Sequence, residues 1–213
     1  EETLRDLAQY IDVLNESNSL SVAYSQYWER RGVSVSGINN DYLRPYINSV
    51  HSVPRVTLKV PTAGGKTFIA CNAIKTIMDN LQTGASNKVV AWFVPSDTIL
   101  KQTLEKLQDV EHPYRQRLDA LFNHRVVVVD KESALIGQGL SPTNMRENLI
   151  IFVLSAQSFV ETIKSKKNKT SEQAKPRAHR ENGNFIEHVS HYTNPERLIE
   201  GIDPTALIQV IAQ

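Results

Sequence analysis

Apolar positions recur at helical spacing at the start of the chain. Leu4, Leu7, Ile11 and Leu14, with acidic residues ahead of them, predict a helix over 3–14. A second helix is expected from about Leu20 to Arg31, with Tyr24, Tyr27 and Trp28 as its large side chains and Gly32 as its end. The aromatic trio reads as core packing in preference to a base-stacking platform. From Arg55 the texture changes. Arg55 to Val60 reads as a strand rich in β-branched residues, Pro61 to Gly65 as a turn of small residues, and Lys66 to Leu81 as a helix with Ile69, Ala73, Ile74, Ile77 and Leu81 on one face. Gly84 and Asn87 break that pattern. Lys88 to Val94 is nearly all apolar and predicts a parallel strand covered on both faces. Pro95 ends it, and Ser96 or Asp97 can cap a helix running to about Val110 with Ile99, Leu100, Leu104 and Leu107 inward. His112-Pro113 interrupts, Tyr114 to Phe122 reads as helical, and Arg125 to Val129 and Leu149 to Leu154 read as two more strands.

Strands alternating with helices predict a parallel sheet wrapped by helices. Right-handed crossovers put the loops after the strands along one sheet edge, where ligands bind. The stretch 163–184 breaks the pattern. Lys164, Lys166, Lys167, Lys169, Lys175, Arg177 and Arg180 stand there among few apolar residues, which predicts a flexible basic insertion. Asp203-Pro204 is expected to start a last helix, with Asp203 as cap and Pro204 in its first turn.

Composition narrows the classes. The 213 residues hold 24 lysines and arginines against 23 aspartates and glutamates, a formal net charge of +1. That argues against a bulk polyanion binder while leaving local basic patches open. The length suits one domain with an appendage. One cysteine, Cys71, excludes an internal disulfide framework. The longest apolar run, Leu149 to Leu154, is far shorter than the roughly 20 residues that span a bilayer as a helix. The chain opens on Glu1 and stops at Gln213 inside a helical pattern, so a piece of a longer protein is expected.

The informative stretch is Val60-Pro61-Thr62-Ala63-Gly64-Gly65-Lys66-Thr67. It follows an expected strand and opens an expected helix, the context of a phosphate-binding loop. Small residues let backbone N–H groups turn toward phosphate oxygens, and the helix N-terminus adds partial positive charge. Lys66 suits the β- and γ-phosphates of a nucleotide, and the Thr67 hydroxyl suits Mg²⁺. Val60 stands where the strict pattern has glycine. Val126 to Val129 followed by Asp130-Lys131-Glu132 is apolar then acidic and reads as an ordinary buried strand. On the residues alone, an ATP-driven motor, a phosphate-loop kinase or nucleotide switch, and a nucleic-acid-binding module with a vestigial loop all remain open.

The loop resembles motif I of superfamily 2 helicases of the DEAD/DEAH type, and its surroundings narrow the likeness. Pro54 to Val60, Trp92-Phe93-Val94-Pro95-Ser96-Asp97 with Ile99-Leu100-Lys101-Gln102-Thr103, and His112-Pro113-Tyr114-Arg115 resemble the ATPase-translocase subunit of type III restriction enzymes. So do Leu154-Ser155-Ala156-Gln157-Ser158-Phe159, Glu181 to Asn184, and Ala206-Leu207-Ile208-Gln209-Val210-Ile211. The likeness runs over about 42–213.

It implies an α/β, RecA-like phosphate-loop domain over 41–213, with residues 1–40 as an N-terminal helical extension. It implies ATP and Mg²⁺ held by Thr62, Ala63, Gly64, Gly65, Lys66 and Thr67, with Lys66 and Thr67 as the catalytic pair. Motifs Ia and Ib imply nucleic-acid backbone contacts from Pro95, Ser96, Gln102, Ser155 and Gln157. The full-length protein would move on double-stranded DNA in the cytoplasm, with a second RecA-like lobe in the same chain, a methyltransferase partner subunit and no membrane. Three departures stand out. Ala63 replaces a usual glycine and is expected to avoid positive φ. Ile47 replaces the glutamine that follows Leu43-Arg44-Pro45-Tyr46 in the adenine-reading segment, leaving Arg44 and Tyr46 to contact the base. The apolar strand ending Asp-Glu that a helicase needs is expected beyond Gln213.

Overall fold

The computed structural model describes residues 1–35, 43–48, 50, 52–61, 63–82, 87–159, 199–203 and 206–212. Gly84, the basic stretch 163–184, the match at 181–184 and Pro204 lie outside the described residues. The chain divides into two compact units, Glu1–Gly84 and Ala85–Gln213.

The first unit is helical. Helices α1 (Glu2–Glu16) and α2 (Leu20–Glu29) form where the helical period predicts them. Ser19 caps α2, its hydroxyl accepting from Val22 N. Beyond α2 the chain turns through Gly32 at φ 74°, a left-handed conformation that costs glycine little. Helix α3 (Lys66–Asn80) buries Ala73 against Leu7 and Ile11 of α1, with Leu4, Ile77 and Leu81 around them. Asn15 locks the far end of this pair. Its amide donates to Asn80 O at 2.7 Å and its carbonyl accepts from Gln82 N at 3.2 Å. The expected strand over 55–60 is corrected: the segment carries no strand assignment, and it pairs in no sheet among the described residues. β-Branched residues favour an extended backbone, but a strand also needs a partner for its hydrogen bonds.

The second unit is the α/β layer. Strands β1 (Lys88–Val94), β2 (Val126–Val129) and β3 (Leu149–Ser155) form a parallel sheet in the order β1-β3-β2. Every residue of β3 is buried, which fits its unbroken apolar run. Strand β1 departs from expectation. It lies at the edge of the described sheet, and Val89 and Phe93 are exposed where cover on both faces was predicted. Helix α4 (Asp97–Gln108) follows β1, and α5 (Pro113–Phe122) leads to β2. In α4, Leu107 is buried but Ile99 is exposed, so the inward face is narrower than the pattern suggests. Two short helices, α6 (Lys131–Leu135) and α7 (Pro142–Glu147), bridge β2 to β3.

A 3₁₀ turn (Ala156–Phe159) follows β3, and α8 (Leu207–Ala212) is the last described helix. That helix begins later than expected. Asp203 accepts from Ala206 N through its carbonyl at 3.0 Å, a turn ahead of the helix. The core joins Val129, Ala134, Leu140, Ile150, Phe152, Leu154 and Leu207.

Candidate functional site

The loop between Val60 and α3 is shaped by backbone conformation. Gly65 is the N-cap of α3 at φ 69°, ψ 35°, and Ala63 has φ 63°. The expectation that Ala63 avoids positive φ is thereby overturned; its Cβ accepts a strain of about 1–2 kcal/mol. Gly64 lies between them outside the left-handed region. Alternating handedness of this kind turns successive N–H groups to a common side. Gly64 is required for space: a Cβ there would stand 2.7 Å from Val60 Cγ1 and 3.0 Å from Pro61 O. Val60, the residue that departs from the strict glycine pattern, therefore packs directly over Gly64.

The carbonyl of Pro61 gathers the loop. It accepts from Gly64 N at 3.0 Å and from the Lys66 ammonium at 3.2 Å. Helix α3 starts with no side-chain cap. Among the described residues the amides of Gly65, Lys66 and Thr67 have no backbone acceptor. Ala63 to Lys66 are exposed and Thr67 is half-buried. Three open amides, a helix N-terminus and an ammonium thus share one exposed turn, the donor set that an oligophosphate requires. Thr62 lies outside the described residues.

Behind the loop α3 is well seated. Asn72 Nδ2 donates to Phe68 O at 2.7 Å, and Cys71 is fully buried. Burial pushes the Cys71 thiol up to about 11.

Arg44 and Tyr46 lie in the same unit. The Tyr46 hydroxyl donates to Val53 O at 3.3 Å and accepts from Arg55 N at 3.3 Å, so it pins the segment that leads into the loop. Its ring meets Tyr24 at a centroid distance of 5.7 Å. A hollow of about 230 Å³ opens among Tyr24, Arg44, Pro45, Tyr46, Ile47 and Arg55. Tyr24 and Arg55 were not singled out as site residues by sequence; their place beside Tyr46 depends on chain folding that no local pattern encodes.

The second unit gathers the other candidates at one sheet edge. Val94 pairs in register with Ser155, so Pro95 and Ser96 leave the sheet beside Ala156 and Gln157. Ser96 Oγ accepts from Ile99 N at 3.4 Å, capping α4. Pro95, Gln102 and Gln157 are exposed. Ser155 is 4 % exposed, and its hydroxyl has no hydrogen-bond partner among the described residues. Asp130 ends β2, and its carboxylate accepts from Ser133 N at 2.8 Å to cap α6. That engagement fits the reading of β2 as an ordinary buried strand.

His112-Pro113-Tyr114-Arg115 has structural work in this fold. His112 Nδ1 accepts from Tyr114 N at 3.2 Å and Pro113 occupies the first turn of α5. Arg115 Nε donates to both Asp119 oxygens, at 2.9 and 3.0 Å, and its terminal nitrogens reach Leu107 O and Val126 O.

The family model described as type III restriction enzyme, res subunit, matches residues 23–200, most of the chain. No curated protein and no solved structure matches.

Proposed function

This chain belongs to the family of type III restriction enzyme res subunits, a helicase-like family, and from that premise we propose that its loop grips the phosphates of ATP. The carrying observation is the exposed turn in which the Gly65, Lys66 and Thr67 amides stand open beside the Lys66 ammonium. Thr62, Ala63, Gly64, Gly65 and Lys66 would surround the phosphates, with the Thr67 hydroxyl toward Mg²⁺. A bound metal supplies charge neutralisation between the phosphates. The base would enter the hollow at Arg44 and Tyr46, read by ring and guanidinium surfaces where Ile47 offers no amide.

Residues 41–213 act as the first of two RecA-like lobes in this reading, and residues 1–40 as an extension. In the full-length protein the lobes couple hydrolysis to movement on double-stranded DNA, in concert with a methyltransferase subunit. Pro95, Ser96, Gln102 and Gln157 would meet backbone phosphates, with the buried Ser155 hydroxyl behind them; such contacts position a strand without reading its sequence. Among the described residues no helix is long and apolar enough to cross a membrane.

Calorimetric titration with Mg²⁺-ADP tests the loop. Saturable binding is expected, with a loss of tenfold or more in Lys66→Ala; unchanged affinity in that variant would mark the loop as vestigial. Turnover by this chain alone should be very slow. A second lobe's arginine is itself worth roughly 10³-fold or more, and Asp130 is already engaged as a helix cap. Rapid hydrolysis would overturn that expectation and bring Asp130 forward as the metal residue.

A further inference from the structure

The phosphate loop opens α3, and α3 is seated on a helix that the family match does not reach. Helix α1 ends at Glu16, ahead of the matched residues 23–200. Yet α1 and the loop helix belong to one compact unit, Glu1–Gly84. The seat has an apolar part and a polar part. Ala73, Ile77 and Leu81 recur at four-residue spacing and so share one face, and Leu4, Leu7 and Ile11 of α1 pack on them, with Leu7, Ile11 and Ala73 as the buried centre.

The polar part is Asn15. The last carbonyls of a helix lack partners within it. Asn80 is the final residue of α3, and its carbonyl accepts from Asn15 Nδ2 at 2.7 Å. The carbonyl of the same Asn15 amide accepts from Gln82 N at 3.2 Å. One half-buried side chain of α1 thus closes the end of α3 from outside that helix. The opposite end has no such closure. It starts without a side-chain cap, and its first turn presents the open amides of Gly65, Lys66 and Thr67. A helix of 15 residues is about 22 Å long and on its own is marginal in water. Its first turn is therefore placed by what holds the remainder: the apolar stripe on Leu7 and Ile11, and the lock at Asn15.

We propose that α1 braces the phosphate loop and that Asn15 is a positioning residue: seating of α3 on α1 sets the fraction of chains whose loop amides converge on one anion. This rests on the reading of the loop as a phosphate site and adds a control over it. Apparent affinity falls in proportion to the seated fraction. Linkage is reciprocal, so whatever lifts α1 from α3 lowers affinity at the loop, and a ligand at the loop tightens the seat. A helix outside the family match thereby acts on the loop without touching its ligand.

Calorimetric titration of the full chain with Mg²⁺-ADP, at a temperature where circular dichroism shows each variant folded, tests the brace. Asn15→Ala opens the polar lock and Ile11→Ala empties the apolar seat. Each should weaken binding about threefold to tenfold, as when the seated fraction falls to about a third or a tenth. Should Ile11→Ala not fold, Asn15→Ala decides, because its side chain is only half-buried. Ser19→Ala is the control for stability alone. It removes the cap of α2, a bond to Val22 N within that helix, and its affinity should equal the parent's. Lys66→Ala reports on the loop itself. Binding lost in Lys66→Ala but unchanged in Asn15→Ala would overturn the brace alone. Equal weakening in Ser19→Ala would also overturn it, since general destabilisation would then explain the loss. No binding by the parent, or binding indifferent to Lys66→Ala, would remove the loop reading and the brace with it.

Discussion

Cys71 shows how one buried atom ties the loop helix to pH. It sits in the second turn of α3, fully buried, with its thiol raised from 9.0 to about 11 by loss of water around the charged form. Below pH 9 the thiol is protonated in folded and unfolded chains alike, and the shift has no effect. Between 9 and 11 the unfolded chain loses the proton while the folded chain keeps it, so stability falls as pH rises through that window. The loss is on the order of 2 kcal/mol. Tyr10 and Tyr27 are also raised by burial, and they act equally in a Cys71 variant. The stability difference between Cys71→Ala and the parent should therefore shift in the variant's favour from pH 8 to pH 11, read from urea midpoints. Parallel curves would mean the thiol is hydrated in the fold. At this same scale the turn that opens α3 was legible in Gly64-Gly65-Lys66-Thr67, because small residues mark a turn whatever surrounds them. The strain at Ala63 and the role of Pro61 O were not, because they reside in dihedrals and a carbonyl, which no side-chain pattern reports.

The elements themselves follow the hydrophobic period wherever they are long enough to express one. Strand β1 spans Lys88–Val94 as predicted, and α1, α2 and α3 fall within two or three residues of their expected ends. Helices α6 and α7 and the 3₁₀ turn were not foreseen, since pieces of five, six and four residues complete too few turns to show a repeat. Segment 55–60 was foreseen as a strand because it is rich in β-branched residues; what residue type cannot supply is a partner. Arg115 shows how elements are joined once formed. It lies on α5, grips the buried Asp119 one turn on, and reaches Leu107 O at the end of α4 and Val126 O at the start of β2. Removing it strands a carboxylate that is 7 % exposed and frees two carbonyls. Arg115→Ala should cost roughly 3–5 kcal/mol, whereas Arg115→Ala with Asp119→Ala should recover part of that because no charge is left buried. Urea unfolding of the two variants decides it; a double variant no better than the single would show that the carbonyl contacts dominate.

Across the molecule, stability should be graded by how each backbone N–H is satisfied. Strand β3 sits between β1 and β2, gives hydrogen bonds to both, and has no exposed residue, so its amides open only when the second unit unfolds. Residues 54–61 and 63–66 carry no ladder among the described residues, and most of them are exposed, so their amides exchange through local opening of small cost. Hydrogen exchange read by mass spectrometry should then show the slowest peptides over 149–155 and fast ones over 54–66. Mg²⁺-ADP discriminates further. A ligand held by the amides of Gly65, Lys66 and Thr67 protects those amides directly and stabilises the turn that presents them. Slowing should therefore be concentrated in peptides covering 61–70, with 149–155 already too slow to report a change. Slowing spread evenly over both units would mean that the nucleotide acts by stabilising the whole chain and not by closing this turn; no slowing at 61–70 would remove the open amides from the binding argument altogether.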